Sequence, residues 1–344
     1  MRQFSYGNAT LSAQMERLLP HLDDNEAREI AFNKPGEYWV LKNEWTQFVD
    51  PFFDMEKLTN ISRTISNYDG GKTDRPIMSR VGPRGERIQI VRSPACLDGM
   101  FCMNIRKHVE VSFTLDQIIS QGGFKSSRFI SRMKNVDADS DGHVGLSSVD
   151  IELLRLKELK DYKGFISTAI KSKKNIIVVG ATGSGKTTFF RAIMDLIDRS
   201  ERVLTIEDTH ELFLEDFPNK CHLTFGKGDM DVSSQELLEA AMRLSPDRIL
   251  LGELRGHEAW DYLQSLNTGH PGSITTVHAN SALLGFNRIA MLIKQSPAGS
   301  DLSFHTILDE VMSSIEIAIF MEKKQIKEIY FDPDYLLSKF SNQN

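Results

Sequence analysis

Residues Gly180-Ala181-Thr182-Gly183-Ser184-Gly185-Lys186-Thr187 match the pattern G-x-x-x-x-G-K-[ST] at every fixed position. The chemistry of this spacing is the cradling of a triphosphate. Glycines let successive backbone N–H groups turn inward around phosphate oxygens, and the helix amino terminus behind them adds a favourable dipole. Lys186 is placed to bridge the β and γ phosphates of ATP, and the Thr187 hydroxyl to hold Mg²⁺, with Thr188 following in the same first turn. The flanks are those the motif requires: a β-branched strand from Ile176 to Val179 before it, and an amphipathic helix expected from Thr187 to Asp198 after it.

Binding a triphosphate is not hydrolysing it. Hydrolysis also needs a carboxylate in the magnesium shell and a group that orients the attacking water. Two acidic stretches lie at expected strand ends. One is Thr205-Ile-Glu-Asp-Thr-His-Glu-Leu212, which offers Glu207, Asp208 and Glu211. The other is Asp247-Arg-Ile-Leu-Leu-Gly-Glu253, an apolar strand closing on Gly252-Glu253, where the glycine keeps the backbone close. A third polar cluster, Thr275-Thr276 and His278, ends the strand in Gly272-Ser-Ile-Thr-Thr-Val-His278. A neutral imidazole there is suited to sense a γ-phosphate by hydrogen bond, and a purely structural strand-end histidine is the alternative.

These residues need a scaffold that brings strand ends together. From Val149 onward the pattern alternates helix and strand, with strands expected at 176–179, 202–206, 248–251, 273–277 and 315–320. Helices of about 10–15 residues between several of them predict an α/β sheet, mostly parallel, whose ligand site lies at the carboxyl ends of its strands. Residues 1–134 carry no catalytic signature but predict a smaller α+β domain. Within it, residues 24–40 read as a short helix, a Pro35-Gly36 turn and a strand. Ile88–Val91 and Gly99–Arg106 read as paired strands, and Thr114 with Gln117 as a capping box. Residues 135–148 gather Asp, Ser and Gly as an exposed linker, and 149–344 form the nucleotide-binding domain.

Composition narrows the class. The chain has 344 residues, 40% hydrophobic and 26% charged, enough for two globular domains. The start of the chain shows no basic-then-apolar leader, and no stretch has the roughly 20 apolar residues of a membrane span. Three scattered cysteines form no disulfide framework or zinc pattern and read as small buried hydrophobes in the cytoplasm. A net charge of −6 argues against direct nucleic-acid binding.

Taken in order, the phosphate loop, the acidic pair Glu207-Asp208, the strand ending Gly252-Glu253-Leu-Arg255-Gly256 and the histidine box resemble the traffic ATPases of bacterial secretion. The segments Arg243-x-x-Pro-Asp-Arg-Ile-Leu-Leu-Gly-Glu253 and Gly269-His-Pro-Gly-Ser-Ile-Thr-Thr-Val-His-Ala-Asn280 are similar to the type IV secretion ATPases. Glu29-Ile-Ala-x-Asn-Lys-Pro-Gly-Glu-x-Trp-Val40 and Ile105-Arg106-Lys107 resemble that family's first domain, so the likeness spans nearly the whole chain. It implies a homohexamer of stacked rings with RecA-like domains, at the cytosolic face of the inner membrane beside other secretion components. DNA or protein would be the cargo. Under the resemblance Glu253 orients the lytic water, Glu207 supports magnesium, and His278 links nucleotide state to domain motion. Arg106 reaches the nucleotide from the first domain, and Arg243 and Arg255 stabilise charge or contact a neighbouring subunit. The family's second arginine, two positions after Arg243, is Ser245 here.

Asp137-Ala-Asp-Ser-Asp-Gly142 imitates half of a calcium loop, but position 12 is Ser148 rather than Glu, which favours a solvated linker. Its length suggests a domain-swapped connection. Three other functions compete with secretion. A pilus-assembly or type II motor often carries a CxxC…CxxC insertion, which is absent here. A DNA-translocating motor would show a basic, aromatic strand-binding segment. A nucleotide-gated scaffold would not need the full set Lys186, Thr187 and Glu253.

Overall fold

The computed structural model describes residues 9–68, 75–83, 85–107, 113–132, 145–225 and 232–335. They fall into two compact units: Met1–Glu110 with Asp208–His210 and Thr224–Val232, and the remainder of the chain.

The first unit is built on strands β1 (Glu29–Phe32), β2 (Glu37–Leu41), β3 (Trp45–Val49), β4 (Ile77–Val81), β5 (Arg87–Arg92) and β6 (Phe101–Arg106). They form an antiparallel sheet ordered β3-β2-β1-β6-β5-β4. Alternation directs one face inward. Ile30 and Phe32, Tyr38 and Val40, Ile88 and Ile90, and Phe101, Met103 and Ile105 all join one core. Leu11 of helix α1 (Ala9–Gln14), Leu22 of α2 (Leu19–Asp23), and Leu58, Ile61 and Ile65 of α3 (Met55–Tyr68) cover that face. The expected α+β character holds. The helix expected just after residue 24 is instead strand β1, because Ile30 and Phe32 recur at period two and find partners in β2 and β6.

The second unit adds helices α4 (Leu115–Ser120), α5 (Ser148–Glu158), α6 (Tyr162–Lys171), α7 (Lys186–Met194), α8 (Ser234–Met242), α9 (Glu258–Asn267), α10 (Ala282–Lys294) and α11 (Phe304–Ser314). Its strands are β7 (Arg128–Ile130), β8 (Ile176–Val179), β9 (Val203–Glu207), β10 (Lys220–Thr224), β11 (Arg248–Leu251), β12 (Ile274–Val277), β13 (Ile317–Glu322) and β14 (Gln325–Phe331). The sheet runs β10-β9-β11-β12-β8-β13-β14-β7. β9, β11, β12, β8 and β13 are parallel neighbours, and β14 returns antiparallel to β13. Every residue of β8, β9, β11 and β12 is buried, as a sheet covered on both faces requires. On one side α5, α6 and α7 supply Leu153, Phe165, Phe189 and Phe190 to the core. α10 packs on β8, β12, β13 and β14, with α9 and α11 beside it.

The division between units falls after residue 110, earlier than the expected boundary at 134. The physical reason is that Leu115, Ile118 and Phe124 enter the second core and β7 pairs in parallel with β14. The Thr114–Gln117 capping box does form and opens α4. The calcium-like stretch and most of the expected linker lie outside the described residues, as does any swapped connection. Ser148 opens α5, with Ser147 capping it from the Asp150 N–H. Cys96, Cys102 and Cys221 are unpaired and half-buried, not deep core as expected.

Candidate active site

The order of the central strands decides which side chains meet. β9, β11, β12 and β8 lie side by side, and each ends in one of the nominated residues: Glu207, Glu253, His278, and the loop that leads to Lys186. Four stretches far apart in sequence therefore deliver an acid, an acid, an imidazole and an ammonium in a row along one edge of the sheet.

β8 feeds the phosphate loop. Gly183 and Gly185 take φ of 75° and 100°, values that a side chain would strain. Gly185 is the N-cap of α7, with no side-chain cap and no acid in the helix's first turn. The dipole end is thus left for an external anion. The Ser184 hydroxyl is buried and, among the described residues, has no hydrogen-bond partner, another polar group turned inward at the loop. Thr187 and Thr188 are half-buried in the first turn of α7. That helix ends at Met194, short of the expected Asp198, where Asp195 becomes its C-cap.

Lys186 is nearly buried, 8% exposed. Its Nζ donates to the Gly180 carbonyl at 2.7 Å and the Ala181 carbonyl at 3.0 Å, and lies 3.4 Å from His278 Nδ1. Burial pushes its pKa down, and the charge of Glu253 opposes that shift. His278 Nε2 in turn lies 2.8 Å from Glu253 Oε1. Glu253 Oε2 accepts from Arg255 Nη2 at 2.7 Å. Burial also lowers the pKa of His278, against the pull of Glu253. A neutral ring with its proton on Nε2 suits both neighbours, because Nδ1 can then accept from the ammonium while Nε2–H lies beside the carboxylate.

Glu253 is held in place from two sides. The Leu254 N–H donates to the Thr276 carbonyl at 2.9 Å, and the Thr276 hydroxyl donates to the Gly252 carbonyl at 2.9 Å. Thr276 was nominated only as part of the histidine box; its role in the structure is to fix the residue before Glu253. Glu207 is buried, 3% exposed, and its Oε1 accepts from the N–H groups of Glu211 at 2.8 Å and Leu212 at 2.9 Å. A Cβ on Gly252 would sit 3.3 Å from Glu207 Cγ, so the glycine leaves room for that side chain where β9 and β11 end side by side.

Not every nominated residue joins the row. Asp208 groups with the first unit, where its carboxylate accepts from Arg87 Nη2 at 3.2 Å. Arg106 ends β6 of the first unit and pairs with Glu29 at 3.6 Å, across the β1–β6 register. Arg243 is the C-cap of α8 and precedes the amino end of β11, the sheet edge opposite the phosphate loop. Within one chain the structure does not bring Arg243 to the site, which leaves the contact with a neighbouring subunit as its expected role. Ser245, at the position of the missing arginine, adopts a φ of 53° at that same edge.

Two features escaped the sequence reading. Asn280 lines the cleft beside residues 181–184, although it was legible as the last polar residue of the histidine segment. Arg248, quoted only as part of a strand, is fully buried and bonds Glu201 at 2.8 Å and 3.0 Å, the Ile170 carbonyl at 2.7 Å and the Gly272 carbonyl at 3.2 Å. An arginine at the head of an apolar strand was its signal.

The chain is similar to known proteins in sequence and fold. The family described as "Type II/IV secretion system protein" matches residues 144–319. The Brucella suis type IV secretion system protein VirB11 is 36% identical over 341 residues, covering 95% of this chain and 91% of that protein. The crystal structure of the Brucella suis VirB11 ATPase with sulphate aligns at a TM-score of 0.54 and 34% identity, covering 96% of this chain and all of that one. The pilus retraction motor PilT with bound ADP aligns at a TM-score of 0.57 over 95% of this chain and 88% of its own. At 17% identity that likeness concerns the fold alone.

Proposed function

The chain belongs to the type IV secretion ATPase family, and we propose that it binds MgATP at the phosphate loop and hydrolyses it with Glu253 as the group that orients the attacking water. The observation that carries this reading is the connected row Lys186–His278–Glu253–Arg255 at the strand ends. On binding, the β and γ phosphates replace the Gly180 and Ala181 carbonyls as partners of Lys186, and the amino end of α7 takes the remaining charge.

The donors available for magnesium are the Thr187 hydroxyl and the Glu207 carboxylate, both oxygen donors of the kind a hard cation takes. The ion would neutralise phosphate charge. The protein's own part is to keep Glu207 immobile through two backbone N–H groups and to aim Glu253 with Thr276. His278 lies between the phosphate-binding lysine and the hydrolytic acid, so a change at one reaches the other through a single ring. That supports a role in linking nucleotide state to motion of the protein.

Family membership supports a homohexamer at the cytosolic face of the inner membrane that powers secretion of protein or DNA. Among the described residues no helix is long and apolar enough to cross a membrane. Molar mass measured with and without a non-hydrolysable ATP analogue tests the ring: a sixfold mass is expected, and a monomer in both conditions rejects it. Phosphate release tests the chemistry. Wild type is expected to turn over ATP and Lys186→Ala to lose that activity; equal rates in the two would remove the phosphate loop from the mechanism.

A further inference from the structure

We propose that the two-lysine turn joining β13 to β14 is part of the nucleotide site, with Lys323 and Lys324 contributing cationic contacts to the bound triphosphate. The inference rests on the reading of the phosphate loop as an ATP site and adds residues that no motif marks.

The turn is built against local preference. Glu322 pairs with Gln325, which leaves Lys323 and Lys324 as the two central residues, with φ of 49° and 62°. Two consecutive positive values define the mirror-image turn that favours Asn-Gly, and a lysine in the left-handed region is strained at each position. Strain kept at one spot is a pointer to function there.

The turn is also fastened to the phosphate loop. The Lys324 N–H donates to the Ser184 carbonyl at 2.9 Å. A Cβ on Gly185 would lie 3.4 Å from Lys324 Cα, so loop and turn are in contact along their backbones. From its other side the hairpin is held by the Ile326 N–H on the Gly123 carbonyl at 2.8 Å and the Ser127 hydroxyl on the Ile326 carbonyl at 2.8 Å. The backbone carrying the lysines is therefore fixed relative to residues that surround phosphate.

Between them runs a cleft of about 270 Å³, lined by residues 181–184 on one side and by Asn280 and residues 320–323 on the other. Lys323 is thus a wall of the space that the loop opens onto. Both lysines are exposed, and among the described residues neither ammonium has a hydrogen-bond or ion-pair partner. Glu322 is the only acid in that wall. Two unpaired cations on a rigid rim, beside a helix end that attracts anions, are placed to meet phosphate oxygens.

The test replaces the turn with the residues its geometry prefers. In the full-length chain, Lys323→Asn with Lys324→Gly is expected to raise the melting temperature while weakening binding of a fluorescent ATP analogue by about three- to tenfold at low salt. That loss shrinks as salt is added. Lys323→Gln with Lys324→Gln keeps the strain, and is expected to lose the same affinity without the gain in melting temperature. Lys323→Arg with Lys324→Arg is expected to bind as wild type does. If the Asn-Gly and the double-Gln proteins both bind the analogue as tightly as wild type, the lysines serve the turn alone and the proposal is overturned. A wild-type protein that fails to bind the analogue would instead reject the ATP site itself.

Discussion

His278 stands between Lys186 and Glu253, its Nδ1 3.4 Å from the lysine Nζ and its Nε2 2.8 Å from the glutamate Oε1. One imidazole therefore touches both the residue suited to hold the γ-phosphate and the residue suited to activate water. The three follow the carboxyl ends of β8, β11 and β12, adjacent strands of one sheet, so the strand order brings them together.

The division of labour between binding and hydrolysis gives the first expectation. His278→Ala removes the link without removing either charge. Nucleotide affinity is expected to stay within about threefold of wild type while turnover falls about tenfold or more. A variant with normal turnover, measured by phosphate release, would reduce His278 to a packing residue.

The protonation state of His278 follows from its surroundings. Burial holds its pKa below the ordinary value of 6.5, Glu253 pulls it up, and Lys186 and Arg255 push it down. Between the depressed folded value and 6.5 the unfolded chain binds more protons, so stability rises with pH across that window. This contribution is fully present above 6.5 and is lost as pH falls through the window. Removing the negative charge by Glu253→Gln lowers the value further. Titration of the His278 ring followed by NMR checks both points, and a wild-type value at or above the ordinary one contradicts them.

Gly252 offers a steric test. An added Cβ would sit 3.3 Å from Glu207 Cγ and 3.6 Å from the Ile206 carbonyl. Gly252→Val is expected to force Glu207 and Glu253 apart and to cut turnover by about tenfold or more, because small displacements of catalytic groups are costly. Binding at the phosphate loop, on β8, is expected to change little. Calorimetric titration with ATP alongside phosphate release separates the two, and unimpaired turnover would show that the pairing of these acids is not required.

Arg248 carries a prediction about stability. Its guanidinium is wholly buried, and four hydrogen bonds join it to Glu201 and to two backbone carbonyls, tying α6 and the loop before β12 to β11. Arg248→Ala strands those acceptors and leaves a cavity, with an expected cost of about 3–5 kcal/mol. Lys173 lies 3.3 Å from Glu201 and softens the loss, so the lower end of that range is expected. Denaturant unfolding measures it, and a change below about 1 kcal/mol would contradict this account.

Much of this site was legible in the sequence because its signals are local. The phosphate loop names its own strand and helix, and Gly252-Glu253 and Thr276-Val-His278 each close an apolar run that reads as a strand. The row they form was not legible, because it depends on the strand order β9-β11-β12-β8, which no single segment encodes. The same limit applies to Arg243. Its motif reads continuously into Glu253, yet parallel strands put the two at opposite sheet edges. Glu29–Phe32 shows the other failure: a four-residue run of mixed character became a strand only through its pairing with β2 and β6. Likewise the boundary between units moved because β7 finds its partner β14 about 200 residues later, a contact that composition cannot reveal.

The central claim, that Glu253 drives hydrolysis of an ATP held by the phosphate loop, is tested most directly by comparing wild type with Glu253→Gln in two assays on the same preparations. Calorimetric titration with ATP and magnesium is expected to give similar affinities, and phosphate release is expected to fall about a hundredfold or more in the variant. Undiminished phosphate release by the Glu253→Gln protein, or the absence of any ATP binding by folded wild type, would contradict the account.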